Sequence, residues 1–251
     1  MEKRHRVFIA INLPEDIKKE LFSYSEKYGK KFQEVFASHQ NEILDMEPAH
    51  PHTKVSDETY GVGIKWTTKD NLHITLEFLG YLTDEEIGEV CIIVKEVAKR
   101  HNSFDIKLDK ICYGPHKLHS GQVPKFIWAE GLSLTNFGQN DANIDMVNKN
   151  EISPKLVRDK KSKELSKLRE DLENSLTEKI KFAPEGRGFT PHITLARISA
   201  FGFKAIEPEE RPEIDEKIDL SFTVESIEVM ESVLKRGGPV HTVLESDAFG
   251  E

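Results

Sequence analysis

Residues 71–80 read NLHITLEFLG, and residues 190–199 read TPHITLARIS. Both stretches contain the tetrapeptide His-Ile-Thr-Leu, which begins at His73 in the first and at His192 in the second. Apolar and polar residues alternate in each stretch, and this alternation predicts a β-strand with one buried face. The chain is therefore expected to hold two similar strands, each presenting an imidazole and a hydroxyl on its polar face.

The alternation assigns the residues of the first strand to its two faces. We predict that one face packs into the core and is formed by Leu72, Ile74, Leu76 and Phe78. The opposite face then carries His73, Thr75 and Glu77. In the second copy, His192 and Thr194 share a face in the same way. Because the apolar side chains anchor each strand, the polar pair is held on a rigid support.

The composition limits the classes of partner that the protein can bind. The chain has 251 residues and a formal net charge of −9, with 44 acidic and 35 basic side chains. Binding along a nucleic-acid backbone normally requires a basic face, so we expect instead a pocket that holds one nucleotide end. No apolar run approaches the roughly 18 residues of a membrane span, and RVFIAIN (6–12) is too short for a signal peptide. We expect a cytoplasmic monomer without membrane contact.

The pattern along the chain predicts a single two-lobed α+β domain over residues 1–251. Strands are predicted at 6–12, 71–80, 103–114, 124–132, 190–197, 220–234 and 241–249. Helices are predicted after Pro14, from a capping box at Thr83 to about Arg100, and along a leucine stripe at 165, 168, 172 and 176. Two polar stretches without periodicity, at about 32–63 and 133–160, are predicted to be insertions.

Paired imidazoles suggest acid–base chemistry. A neutral histidine can take a proton from water and a protonated one can give a proton to a leaving alkoxide, because the unperturbed pKa of about 6.5 lies near working pH. Threonine hydroxyls can hold phosphate oxygens. This set of groups suits the cleavage of a phosphoester and requires neither a metal nor a cofactor.

Two other kinds of site fit the sequence less well. A zinc site is disfavoured because each His-x-Thr motif offers one ligand, and no cysteine or carboxylate stands at a standard metal spacing. We interpret the remaining histidines of the polar stretches as loop residues: His39, His50, His52, His116 and His119. A serine hydrolase is disfavoured because the chain contains no Gly-x-Ser-x-Gly turn. The two cysteines, Cys91 and Cys112, do not form a disulfide framework.

The sequence resembles the two-histidine (2H) phosphoesterase superfamily, whose signature is a pair of His-x-Thr/Ser-x motifs. Within it, the chain is similar to the RNA 2′,3′-cyclic phosphodiesterases, also called the 2′-5′ RNA ligase family. Four stretches carry the resemblance: RVFIAINLP (6–14), NLHITLEFLG (71–80), FTPHITLAR (189–197) and ESVLKRGGPVHTVLE (231–245). The resemblance implies two lobes of mostly antiparallel sheet that enclose a central groove, with helices on the outside.

The resemblance also implies functions for individual residues. His73 and His192 correspond to the catalytic pair, with His192 as the base and His73 as the acid by analogy. Thr75 and Thr194 would contact the phosphate. Arg197 matches the arginine of the family and would add positive charge beside the phosphate. Because strict alternation puts Arg197 on the apolar face, this role requires the strand to bend or end near Ala196. Phe8 and Phe189 are candidates for stacking on a base, with core packing as the alternative.

The implied activity is metal-independent hydrolysis of an RNA or nucleotide 2′,3′-cyclic phosphate to a 2′-phosphomonoester, which can run in reverse as 2′-5′ ligation. Two alternatives stay open. The same fold can act on 2′-5′ oligonucleotides or on a cyclic phosphate derived from ADP-ribose. It can also serve as an RNA-end binding module without catalysis, in which the two insertions cover the groove.

Overall fold

The computed structural model describes residues 2–39, 63–116, 122–131, 133–134, 163–180, 182–184, 189–204, 206–236 and 238–250. These residues form ten strands: β1 His5–Asn12, β2 Ile64–Trp66, β3 His73–Leu82, β4 Phe104–Gly114, β5 Phe126–Glu130, β6 Ser133–Leu134, β7 Ile193–Ile198, β8 Asp215–Val224, β9 Ser226–Lys235 and β10 Gly238–Ala248. They also form four α-helices: α1 Glu15–Ser38, α2 Asp84–Ala98, α3 Lys163–Lys179 and α4 Ala200–Lys204. A short 3-10 helix, Lys69–Asn71, precedes β3.

All of the named strands belong to one hydrogen-bonded sheet, in which neighbours run antiparallel. The order is β10-β9-β1-β3-β7-β5-β4-β6, with β2 paired to β7 and β8 paired to β4. The expected α+β class and the mainly antiparallel arrangement are therefore confirmed. The sheet divides into two lobes, since β1, β3, β9 and β10 form one side and β4, β5, β7 and β8 the other.

The two lobes meet between the two strands that carry the repeated tetrapeptide. β3 and β7 pair at one position, where Ile74 lies opposite Ile193. By contrast, β1 and β3 pair over eight positions, from His5–Leu82 to Asn12–His73. The central isoleucines of the two copies therefore form the junction of the lobes, and both side chains are buried in the core.

Both motif strands contain a β-bulge directly after the threonine. Residue Ile9 pairs with Glu77 and Ala10 with Thr75, so Leu76 is the extra residue in β3. Ile127 pairs with Ala196 and Trp128 with Thr194, so Leu195 is the extra residue in β7. A bulge shifts the alternation of side chains by one position until the next irregularity. In β3 that irregularity comes at Leu79, since Val7 pairs with Gly80 and Phe8 with Phe78.

This shift makes part of the predicted facing of β3 wrong. Glu77 was expected beside His73, yet it is 2% exposed and lies on the helix side, where its carboxylate contacts Arg169 of α3 at 2.6 Å. Phe78 was expected in the core, yet it is 48% exposed and turns towards Phe8 on the opposite face. Leu72, Ile74 and Leu76, which precede or occupy the bulge, are buried as predicted.

The helices cover one face of the sheet and leave the other face for the groove. Val7, Ile9 and Ile11 of β1 point into the main core, which also receives the four leucines of α3. Phe8 and Ala10 point the other way and form a small separate cluster with Met230. The predicted helices on the outside are confirmed, as is the capping box, in which Thr83 and Glu86 exchange hydrogen bonds.

Other boundaries differ from the prediction. The first helix continues to Ser38, where we expected an insertion from residue 32, because Phe32 and Phe36 add apolar positions that pack against the core. The single strand expected at 220–234 is two strands, β8 and β9, that pair with different lobes. The rest of the two expected insertions, residues 40–62 and 135–160, lies outside the described residues.

The pair between Glu77 and Arg169 predicts a measurable coupling across the sheet–helix boundary. Removing one partner of a buried ion pair is strongly destabilising. We expect Arg169→Met to lower the free energy of unfolding by about 3 kcal/mol, because the Glu77 carboxylate stays buried without this guanidinium. The double variant Glu77→Met/Arg169→Met should recover at least half of the loss in urea denaturation. A loss below about 1 kcal/mol in the single variant, the usual value of an exposed pair, would contradict a coupling of this kind.

Candidate active site

His73 lies at the start of β3, and its ring is fixed from both ends. Its Nδ1 lies 2.7 Å from the backbone carbonyl oxygen of Asn71, and its Nε2 lies 3.0 Å from the hydroxyl of Thr75. A carbonyl oxygen can only accept, so Nδ1 carries the proton and Nε2 of the neutral ring accepts from the threonine. The predicted pairing of His73 with Thr75 on one strand face is therefore observed.

His192 directly precedes β7 and is held in the same tautomer. Its Nδ1 donates to the backbone carbonyl of Thr190 at 2.8 Å. Its ring stacks on Trp128 of β5, with 4.0 Å between the ring centroids and 25° between the planes. In both copies, a carbonyl two residues before the histidine fixes the proton on Nδ1, which leaves Nε2 available to the groove.

The register at the junction brings the two copies together. His73 and His192 each precede an isoleucine of the Ile74–Ile193 pair, so both imidazoles project from the face opposite the core. In an ideal antiparallel ladder, diagonal neighbours of this kind lie about 7–8 Å apart. Electrostatics agrees with this proximity, since a positive charge on His192 contributes to lowering the pKa of His73.

The bulge in β7 decides the position of Arg197. Without it, Arg197 would share the buried face of Ile193 and Leu195. With Leu195 as the extra residue, Thr194 is opposite Trp128 and Arg197 is opposite Phe126, so all four share the groove face. Arg197 is exposed, and its guanidinium carbon lies 5.5 Å from the Phe126 ring centroid. The bend that its expected role requires is therefore present at the expected position.

A third histidine, which the sequence analysis did not select, lies beside His73. The ring centroid of His241, on β10, is 5.0 Å from that of His73, and the planes are nearly perpendicular at 74°. Phe8 lies beneath both rings, 5.0 Å from each centroid. In the sequence, His241 directly follows KRGGPV (235–240) and lacks the repeated context that distinguishes the other two histidines.

Asn71 holds these two histidines in their relative positions. Its side-chain Nδ2 donates to the Pro239 carbonyl at 2.6 Å, and its Oδ1 accepts from the His241 backbone N–H at 3.1 Å. Its own carbonyl accepts from His73. One residue of the 3-10 helix thus connects β10 to the imidazole of β3.

The structure separates the aromatic candidates for base stacking. Phe8 is 3% exposed, so it forms the floor of the site rather than an open platform. Phe189 lies under the guanidinium of Arg169 at 5.0 Å, away from the groove face. Phe78 and Phe126 are the groove-face phenylalanines with accessible rings among the described residues. The sequence did not reveal Phe78 because the bulge in β3 was not visible in the pattern. It did not mark Phe126 because β5 carries no repeated motif.

The environment keeps the histidines uncharged in the free protein. The pKa of His73 is lowered to about 4. Burial is the largest cause, the hydrogen bond to Asn71 opposes it, and charges on His241, His192 and Lys18 add smaller lowering effects. Burial also lowers the pKa of His192, against the effects of Thr190 and Glu130. The pKa of His241 is lowered by burial and then by Arg6 and Arg197. All three rings are therefore mainly neutral at pH 7.

Two His-x-Thr pairs on one face at the junction of two lobes are the defining arrangement of a two-histidine phosphoesterase. The profile of the LigT like Phosphoesterase family matches residues 49–124 and 157–241. The chain belongs to this family.

Curated relatives and solved structures agree with this assignment. A protein of Thermotoga maritima named RNA 2′,3′-cyclic phosphodiesterase is 24% identical over 242 residues, which cover 95% of this chain and 92% of the relative. A protein of Aeropyrum pernix with the same name is 28% identical over 188 residues, or 73% of this chain and 85% of the relative.

The fold matches two solved structures over almost the full length. The protein TT0787 of Thermus thermophilus superposes with a TM-score of 0.62 at 22% identity and covers 98% of this chain and 99% of its own. The complex of Escherichia coli LigT with 3′-AMP superposes with a TM-score of 0.58 at 20% identity and covers 99% of this chain and all of its own. No helix in the described part of the chain is long and apolar enough to cross a membrane.

The contact between His241 and His73 predicts the direction of a pKa change. A positive charge on His241 disfavours a second positive charge on His73, so its removal should raise the pKa of His73. We expect His241→Gln to raise this pKa measurably, by several tenths of a unit in order of magnitude, in NMR titrations of the histidine ring carbons. The matched control is His101→Gln, whose ring pairs with Asp171. An unchanged or lower pKa of His73 in His241→Gln would show that the two rings do not interact electrostatically.

Proposed function

We propose that this protein hydrolyses 2′,3′-cyclic phosphate ends of RNA or nucleotides to 2′-phosphomonoesters, without a metal, by paired histidine catalysis. The observation that carries the proposal is the register Ile74–Ile193, because it places two His-x-Thr pairs on one face. The curated relatives support the choice of substrate, since those from Thermotoga maritima, Aquifex aeolicus, Aeropyrum pernix and Methanocaldococcus jannaschii carry the same activity in their names.

His192 is proposed as the general base. Its Nδ1 is engaged by Thr190, so its Nε2 lone pair is the atom that can take a proton from water. The stack on Trp128 fixes the direction in which that lone pair points. As the proton moves to Nε2, the water oxygen forms a bond to phosphorus.

His73 is proposed as the general acid. It is more deeply set, between Phe8 and His241, and its Nε2 is the atom nearest the Thr75 hydroxyl. The bond from phosphorus to the 3′ oxygen breaks as His73 Nε2–H gives its proton to that oxygen. The ring ends neutral and the product keeps its phosphate on the 2′ oxygen. With a 5′-hydroxyl in place of water as the nucleophile, the same steps join two ends by a 2′-5′ linkage. In the reverse direction the two histidines exchange roles, and the linkage is cleaved back to the cyclic phosphate.

The remaining polar groups are proposed to hold the phosphate. Thr75 and Thr194 stand beside the two histidines, and Arg197 adds a positive charge on the same face. These donors stabilise the extra negative charge that develops on the non-bridging oxygens. Phe78 and Phe126 offer ring faces for the base of the terminal nucleotide.

Two alternatives differ in substrate or in chemistry. With the same site, the protein can act on 2′-5′ oligonucleotides or on a cyclic phosphate derived from ADP-ribose. As an RNA-end binding module, it would hold a cyclic phosphate without product. A panel of these compounds, followed by identification of the phosphate isomer, distinguishes the three cases. The exposed ring of Phe78, which contacts Phe8 beneath His73, favours a substrate with a base next to the phosphate.

The proposed roles of the two histidines predict that turnover depends on both imidazoles. His73→Ala and His192→Ala should each lower the turnover number for a 2′,3′-cyclic nucleotide by about 10²–10⁴-fold, because each removes one of the two proton transfers. The assay is run in excess EDTA, in which the unmodified protein should keep its activity. His101→Ala serves as the control, since His101 pairs with Asp171 of α3. Near-full turnover in either catalytic variant would refute the proposed chemistry.

The low pKa of His73 predicts that substrate binding is accompanied by proton uptake. Because the pKa of His73 is about 4 in the free protein, the proposed acid must be charged by the incoming anion. A cyclic diester does not itself titrate near pH 7, so its binding should be accompanied by uptake of up to about one proton. The measurement is calorimetry of cyclic-nucleotide binding to the inactive variant His192→Asn, in buffers of different ionisation enthalpy. Uptake that persists in His73→Asn/His192→Asn would assign the proton to another group.

A further inference from the structure

A second cluster of reactive side chains lies on the groove face, beyond Trp128. It consists of Cys112 on β4, Glu130 on β5 and His116, which follows β4. One thiol sulfur, one imidazole nitrogen and one carboxylate oxygen from these residues all lie within 4.8 Å of one another. The proposed hydrolysis does not use any of the three groups.

The two strands place the thiol and the carboxylate side by side. Cys112 pairs with Trp128, and the next pair on the same face joins Lys110 with Glu130. Cys112 and Glu130 are therefore diagonal neighbours of one face. Just after β4 ends at Gly114, His116 Nε2 lies 2.7 Å from Glu130 Oε2. His116, which is close in sequence to Cys112, is thus the third member of the cluster.

The burial of the cluster suits an ion that enters from one side. Cys112 is 5% exposed, so its sulfur faces the interior of the site. The side chains of His116 and Glu130 are 42% and 19% exposed. The histidine can therefore move to admit an ion, while the cysteine and the glutamate stay fixed on paired strands.

The surrounding charges favour a cation. Asp109 and Asp215 lie near the cluster, where they interact electrostatically with Glu130 and Cys112 respectively. Lys110, which acts electrostatically on Cys112, is engaged with Asp215 at 2.8 Å. Carboxylates thus outnumber basic groups around the three candidate ligands.

We propose that Cys112, His116 and Glu130 bind one divalent ion of the zinc class. Sulfur, imidazole nitrogen and carboxylate oxygen are the ligand types of Zn²⁺, whereas Ca²⁺ and Mg²⁺ prefer sites made of oxygen alone. Three protein ligands leave a fourth tetrahedral position for water. On binding, the thiol proton passes to solvent, and the proton that His116 Nε2 shares with Glu130 is transferred to Nδ1, which frees the Nε2 lone pair for the ion. The Nε2–Oε2 separation opens from 2.7 Å to about 3.3 Å, the value that tetrahedral bond lengths give.

The ion would be separated from the proposed catalytic centre by one aromatic ring. Trp128 stacks on His192 at 4.0 Å and meets His116 edge-on at 6.2 Å between ring centroids. An ion bound here would link β4, β5 and the residues that directly follow β4, on the side of Trp128 away from His192. It is therefore separated from His192 by the Trp128 ring, and it does not contact the scissile phosphate.

The experiment uses cobalt(II) as a spectroscopic probe, followed by zinc. We expect metal-freed protein to bind one Co²⁺ with the charge-transfer absorption of a thiolate ligand, and one Zn²⁺ should displace it. Cys112→Ala should lose this absorption, and His116→Ala and Glu130→Gln should each weaken Zn²⁺ binding by on the order of 100-fold. The matched control is Cys91→Ala, which removes the other cysteine of the chain and should leave the absorption unchanged.

The exposed position of His116 keeps the test independent of folding defects, because a substitution there leaves the buried strands intact. A thiolate absorption that survives both Cys112→Ala and His116→Ala, or no such absorption in the unmodified protein, would overturn the proposal. Zinc should also raise the midpoint of thermal unfolding of the unmodified protein and not of His116→Ala. Turnover in EDTA tests the hydrolysis separately, so the two proposals can fail independently.

Discussion

A single backbone pairing, Ile74 with Ile193, determines how the two halves of this protein work together. On one side of the sheet it buries two isoleucines in the continuous core. On the other side it forces the preceding histidines, and the threonines that follow the isoleucines, into one groove. Because β1 pairs with one motif strand, and β2 and β5 pair with the other, this junction needs little pairing of its own.

The bulges after the threonines refine this arrangement. Leu76 and Leu195 stand at equivalent positions of the two copies, and each moves the residue three places after the threonine onto the groove face. The same event buries Glu77, which the helix layer accommodates through Arg169. Because of its bulge, each motif strand contributes side chains both to the core and to the groove.

The sequence predicted the parts of the site that are repeated and local. The paired His-x-Thr motifs, the alternation up to each leucine and the capping box at Thr83 depend on residues close in sequence, so their patterns could be recognised. The bulges depend on register with a neighbouring strand, and the predicted facing of Glu77 and Phe78 was wrong for that reason. His241 depends on the Asn71 amide, which reaches a strand about 170 residues further along the chain. Likewise, the four-residue spacing of Cys112 and His116 gained meaning only when Glu130 was found beside them.

The two copies of the motif are chemically equivalent where they are identical. Both imidazoles have the same tautomer, fixed by a carbonyl two residues earlier. Along the motif strands themselves, the groove faces first differ after the bulges, where one strand exposes the neutral ring of Phe78 and the other the cation of Arg197. The neighbouring strands add a second difference, since Phe8 and His241 lie against His73 and Trp128 lies against His192. Any preference for one orientation of a bound phosphodiester, and with it the regiochemistry of cleavage, therefore originates outside the repeated letters, in the unlike residues that flank them.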